Sequence, residues 1–308
     1  MSIFENTTNL LHFIKTEASM KIYLICDESG CKGFSDKLTD TNQDIGVFAG
    51  YSIPEDKIED FKLNINSIAS KYANEDGKTH ITDLSEQNQM LLRNELFNFV
   101  LSLKGFYFFY EAIHHNGFCK HHKDNELFLK EHKHENPRFK TSENHSKYRL
   151  HTTLFQSLFT KNIAFLLDLN IKEFDIHVIT DKIDVPIIKE FDRSIQDFLN
   201  LESKTEYTGY DTIDKQVKRG SIEVKVEGIP DYRENLKNYC INIATEENEN
   251  LVLLADVLAN SILYCLNKNK ENQFLNSRAS LEEHPLYKCL YAPDIDGGWI
   301  NDIMYRTT

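Results

Sequence analysis

Short apolar runs alternate along the chain with longer stretches of helical spacing, and this alternation predicts most of the elements. Residues 21–30 open with mostly apolar positions, β-branched and aromatic among them, and predict a strand buried on both faces. Residues 45–53 predict a second strand, and the aromatic run 105–113 a third. Pro54 and the acids behind it open a helix of about 18 residues, with Ile58, Phe61, Ile65, Ile68 and Tyr72 at helical spacing. Residues 86–103 predict another helix, carrying Leu91, Leu92, Leu96, Phe99 and Val100.

From His114 to Arg149 the periodicity breaks down, and residues 114–147 read as a long insertion. Helical spacing returns over 148–169 (Leu154, Leu158, Ile163, Leu166, Leu167). The strand 174–180 then closes at Asp181. Pro186 sits in the first turn of a helix carrying Ile187, Ile188, Phe191, Ile195 and Phe198. A polar loop precedes an alternating, half-exposed strand at 221–226, and 239–244 offers one more. A helix over 250–266 and a weakly helical tail containing Gly297 and Gly298 complete the chain. Residues 1–19 read as an extension with a short amphipathic helix (Leu10, Leu11, Phe13, Ile14). No repeat or linker divides the rest, so 20–308 reads as one α/β domain: a mixed sheet flanked by helices.

Composition changes this picture in three respects. The net charge of −13 opposes indiscriminate coating of nucleic acid, yet residues 120–149 hold eight basic against five acidic side chains and five histidines. That island carries +3 while the remainder carries −16. Six cysteines without C-x-x-C spacing argue against a zinc ribbon and for free thiols in a reducing cytoplasm. No apolar run looks long enough to span a membrane, and the N-terminus lacks the apolar stretch of a signal peptide. There is no P-loop, no G-x-G-x-x-G and no G-x-S-x-G, so those three chemistries have no footing.

The candidate chemistry lies in acids at odd places. Asp27 and Glu28 follow a buried strand, Asp181 follows another, and Asp256 interrupts the apolar run 251–259. Isolated Asp is rarely buried unless paired or bound to metal. Asp27 could instead cap a turn and Asp181 the next helix, but Asp is a poor helix-interior residue, which makes Asp256 harder to explain away. Glu249, Leu253, Asp256 and Asn260 share one helix face, and Ala255 and Ala259 would let that helix lie close on a sheet. Clustered carboxylates repel, and Mg²⁺ or Mn²⁺ would remove the repulsion. Two such ions could activate water for phosphodiester cleavage.

Asp27-Glu28-Ser29-Gly30, His80 in a K-x-H loop, Val178-Ile179-Thr180-Asp181-Lys182 and Leu253-Leu254-Ala255-Asp256 occur in that order. Together they resemble a bacterial family catalogued as domain of unknown function 3800, considered similar to ribonuclease H-like nucleases. Many members have Gln where Leu253 or Leu254 stands, and a Ser-containing acidic segment where this chain has Thr245-Glu246-Glu247. The resemblance implies a ribonuclease H-like fold, a metal-dependent phosphodiesterase and an association with phage defence or mobile elements. On this reading Asp27, Asp181 and Asp256 hold Mg²⁺ or Mn²⁺, Glu28 assists, and His80 orients a water or phosphate or protonates a leaving group.

Lys120, Lys123, Lys130, Lys133, Arg138 and Lys140, interleaved with Phe118, Phe128 and Phe139, are the expected nucleic-acid contacts, joined by Lys182. An exposed helix with a buried aromatic face accounts for the same pattern. The histidines of the insertion fit no closed zinc pattern and read as part of a solvated basic loop. Three functions therefore stand: a nuclease on RNA or DNA, a non-catalytic nucleic-acid or protein-binding module, and a metal-dependent hydrolase of small nucleotides. A protein partner or a second copy of the chain is left open, and no membrane partner is expected.

Overall fold

A computed structural model describes residues 19–31, 45–74, 79–133, 139–141, 149–199, 204–223, 234–268, 281–291, 294–295, 298–299 and 303–305. The predicted N-terminal helix, Arg138, the end of the 221–226 strand and Gly297 lie outside these residues.

The principal sheet has five strands: β1 (Met20–Gly30), β2 (Ile45–Pro54), β3 (Phe108–His114), β5 (Phe174–Thr180) and β8 (Leu236–Ile243). Their order is β3-β2-β1-β5-β8. β1 pairs antiparallel with β2 and β2 antiparallel with β3, whereas β5 runs parallel to β1 and β8 parallel to β5. The parallel steps are spanned by helical crossovers, as parallel pairing requires. β3 therefore runs in the direction of β1, and the carboxyl ends of β1, β3, β5 and β8 share one end of the sheet.

Helices cover both faces. On one lie α1 (Glu55–Ala69), α2 (Glu86–Ser102) and α6 (Glu249–Lys268), packed on Ile25, Val47, Ala49 and Tyr51. On the other lie α4 (Arg149–Asp168) and α5 (Val185–Leu199), packed on Ile22, Leu24, Cys26 and Phe48. Strand alternation sorts β1 between these two cores: odd positions face α6, even positions face α4 and α5. Ala255 and Ala259 are fully buried, and the small side chains let α6 approach β1 and β2 closely. By length and composition α6 could cross a bilayer, contrary to the expectation that no segment could; here most of it is buried in the core.

Several boundaries differ from the expected ones. α1 ends at Ala69, before Tyr72, and Leu91 of α2 is exposed rather than buried. Among the described residues the insertion forms regular elements: His115–Lys133 is α3, and Phe139–Thr141 is β4. Its apolar face was obscured because His115 is buried beside Phe118 and Cys119, so a polar residue type occupies a core position. The expected polar loop before residue 221 contains β6 (Lys204–Asp211), which pairs with β7 (Gln216–Glu223), while β4 pairs with β6. Asp211 makes the hairpin: its carboxylate accepts from the Ile213 and Asp214 N–H groups and sits 2.7 Å from Lys218 Nζ. Polar alternation had concealed the hairpin, since one strand face has little to bury. The tail adds the short strands β9 (Asp294–Ile295) and β10 (Gly298–Trp299) and bridges Phe108 to Leu290 and Ile113 to Met304.

Candidate functional site

Gly30 closes the acidic stretch with φ +84°, and a Cβ there would lie 2.2 Å from the Ile45 carbonyl oxygen. Glycine is thus required where β1 turns away. β1 itself runs through the acids rather than stopping before them. Asp27 is an odd position and faces α6, whereas Glu28 is even and turns to the opposite core.

Two anchors set α6 above Asp27. Tyr51 Oη donates to the Leu251 carbonyl at 2.8 Å, and the Leu263 side chain abuts Gly30. Asp256 lies between these anchors. Asp181 follows the carboxyl end of β5, two residues beyond Ile179, which packs in the α6-side core. It does not cap α5: the first helical hydrogen bond runs from Ile188 N–H to the Asp184 carbonyl.

The consequence is electrostatic. Burial pushes the Asp27 carboxyl well above its ordinary range, and the charges of Glu28, Asp256 and Asp181 push the same way. The Glu28 N–H donates to Asp27 Oδ1 at 2.8 Å and partly opposes them. The Cys26 thiol is raised too, by burial and then by Asp27 and Glu28. Acids from β1, the end of β5 and mid-α6 therefore all act on Asp27 at the carboxyl end of the sheet. Open α/β sheets usually bind ligands at that end.

Oxygen donors of this kind suit a hard divalent cation. Among the described residues, however, no three Asp, Glu, His or Cys side chains stand close enough to form a ready ligand set. The two observations agree, because charge interaction reaches several ångströms beyond a metal–oxygen bond of about 2 Å. The donor chemistry fits the cation, and the side chains as placed do not close around one.

Two residues not anticipated from sequence join this region. His151, near the start of α4 and buried, places Nε2 3.9 Å from Glu28 Oε1. Arg93 of α2 donates from Nη2 to Asn260 Oδ1 at 2.6 Å, and the charge of Asp256 acts on its guanidinium. Each is a polar residue inside an apolar helix pattern, the signal that singled out Asp256.

His80 is exposed, just before a 3₁₀ turn at Ile81–Asp83, and nothing in the described structure ties it to the acids. Lys182 is exposed beside Asp181. Lys120 is exposed and Lys123 half-buried on α3, which leaves β3 at the end of the sheet that carries the acids. The side chains of Lys130, Lys133 and Lys140 lie outside what is described. None of the six cysteines is in a disulfide. No protein-family model matches the chain, and no curated protein matches it.

Proposed function

We propose that this chain is a divalent-metal-dependent nuclease that hydrolyses phosphodiester bonds in RNA or DNA on a ribonuclease H-like scaffold. The observation that carries the reading is the buried Asp27 carboxyl, pushed upward in part by Glu28, Asp256 and Asp181. Such repulsion on a buried carboxyl costs stability without serving the fold, and a strongly perturbed acid of this kind marks a candidate functional site. The mixed sheet with helices on both faces agrees with the scaffold.

Asp27, Asp181 and Asp256 would hold Mg²⁺ or Mn²⁺. A bound cation supplies an activated water and stabilises charge on the leaving oxygen. The chain's own contribution is placement. α6 and the sheet fix the carboxylates on rigid elements, and Glu28 turns to the opposite face, where His151 Nε2 lies 3.9 Å from its Oε1. Lys120, Lys123 and Lys182 are offered as backbone contacts for the polynucleotide.

The test is Mn²⁺-dependent cleavage of RNA and DNA oligonucleotides by the full chain, compared with Asp256→Asn and Asp181→Asn. Each substitution should lower cleavage at least about a hundredfold while leaving a cooperative melt. Undiminished cleavage by either variant would remove that residue from the site. Hydrolysis of free nucleotides alone would move the reading to a small-molecule hydrolase, which the net charge of −13 favours over a polymer substrate.

A further inference from the structure

Arg93 occupies the middle of α2 and turns towards α6. Its Nη2 hydrogen bond goes to Asn260, which stands one helical turn beyond Asp256 on the same face. Burial pushes the guanidinium of Arg93 down from its ordinary value, and the charge of Asp256 works the other way. The Nε of Arg93 is buried and, among the described residues, has no hydrogen-bond partner. A guanidinium carries five donors in a planar fork and stays charged. Asn260 satisfies one of them and none of the charge.

A purely structural arginine beside so many acids should lie in a bidentate pair with one of them, the strongest arrangement open to it. Arg93 instead leans on a neutral amide and keeps donors in reserve at the rim of the acidic cluster. The ligand that fits is a planar-fork acceptor with negative charge. A phosphodiester offers two such oxygens and one charge, which the surrounding carboxylates alone would repel.

We propose that Arg93 grips the scissile phosphate beside Asp256, an inference that rests on the phosphodiester reading above. Asn260 is then a positioning residue that aims the fork.

The experiment is a series of thermal melts of the full chain with rising inorganic phosphate, in EDTA and again with Mg²⁺, against sodium chloride at equal ionic strength. Phosphate should stabilise the wild type beyond the chloride control. Arg93→Gln should abolish that stabilisation. Arg93→Lys, which keeps the charge and loses the fork, should weaken it about tenfold. A wild type indifferent to phosphate, or an Arg93→Gln variant that responds like the wild type, overturns the proposal. Should Arg93→Gln fail to fold, unchanged phosphate affinity in Arg93→Lys overturns it. Cleavage is read separately on the same proteins. Cleavage by the wild type with phosphate binding independent of Arg93 sinks this inference alone. Phosphate binding that depends on Arg93, with no cleavage of either polymer, sinks the nuclease reading and assigns Arg93 to a smaller phosphorylated ligand.

Discussion

Glu28 Oε1 stands 3.9 Å from His151 Nε2, on the face of the sheet opposite to the one where Asp27 meets α6. Adjacent acids in one strand thus serve different surroundings. The pleat separates their side chains, although their charges still interact through the backbone between them. On the proposed reading His151 would act on the site through Glu28. Replacing it with Gln should lower metal-dependent cleavage by about 10–100-fold with little change in the melt. Cleavage equal to that of the wild type would make the contact structural only.

Asp27 links the site to stability. Its carboxyl is raised in the folded protein, so folding favours the protonated form. Stability from this group is complete below the unfolded value of 3.8 and is lost as pH rises through the higher folded value. In EDTA at neutral pH, Asp27→Asn should melt higher than the wild type, and the gap should close near pH 3.8. Mg²⁺ should raise the wild-type melt and not that of the variant. A variant less stable than the wild type at neutral pH would mean that the carboxylate is a net stabilising partner.

The opposite pH dependence belongs to His284. Burial lowers its imidazole from 6.5 to about 4. The Leu286 N–H donates to Nδ1 at 3.1 Å, and Nε2 lies 2.9 Å from Ser261 Oγ, whose own proton goes to the Leu258 carbonyl. These partners select the neutral ring with its proton on Nε2, because Nδ1 must accept. The unfolded chain takes up a proton that the folded one resists, so stability falls as pH drops from 6.5 towards 4. The loss is about 3 kcal/mol. Urea titrations across that range should show it, and His284→Gln should flatten the slope.

Lys161 and Glu111 form a buried pair at 2.6 Å, and Lys161 also donates to the Tyr110 carbonyl at 2.8 Å. Burial pushes the carboxyl up and the amine down, and each partner's charge pulls the other back. Lys161→Met strands Glu111 and should cost about 3–5 kcal/mol, whereas adding Glu111→Leu should recover most of it. Chemical denaturation of the single and double variants measures the difference. A double variant as unstable as the single one would show that packing, not charge, sets the cost.

Local sequence was sufficient wherever one residue's neighbours in the chain decided its fate. The aromatic run around Phe108, the apolar opening of β1 and the helical spacing of α1, α4, α5 and α6 each state a period that only one element satisfies. The same local logic marked Asp27, Asp181 and Asp256, because an acid among apolar residues needs an explanation from elsewhere. It failed where a core position carries a polar type, as at His115 in α3, or where a strand face stays wet, as in the β6–β7 hairpin. Only tertiary structure decided which acids share one end of the sheet. Pleat parity sends Asp27 and Glu28 to opposite faces, Tyr51 and Gly30 set α6 so that Asp256 lies over β1, and parallel pairing brings Asp181 to the same end. Arg93 and His151 gained significance the same way, through partners far off in the chain. The physical reason is range: hydrophobic period is set by residues a turn apart, whereas the charge an acid feels depends on elements that only packing brings together.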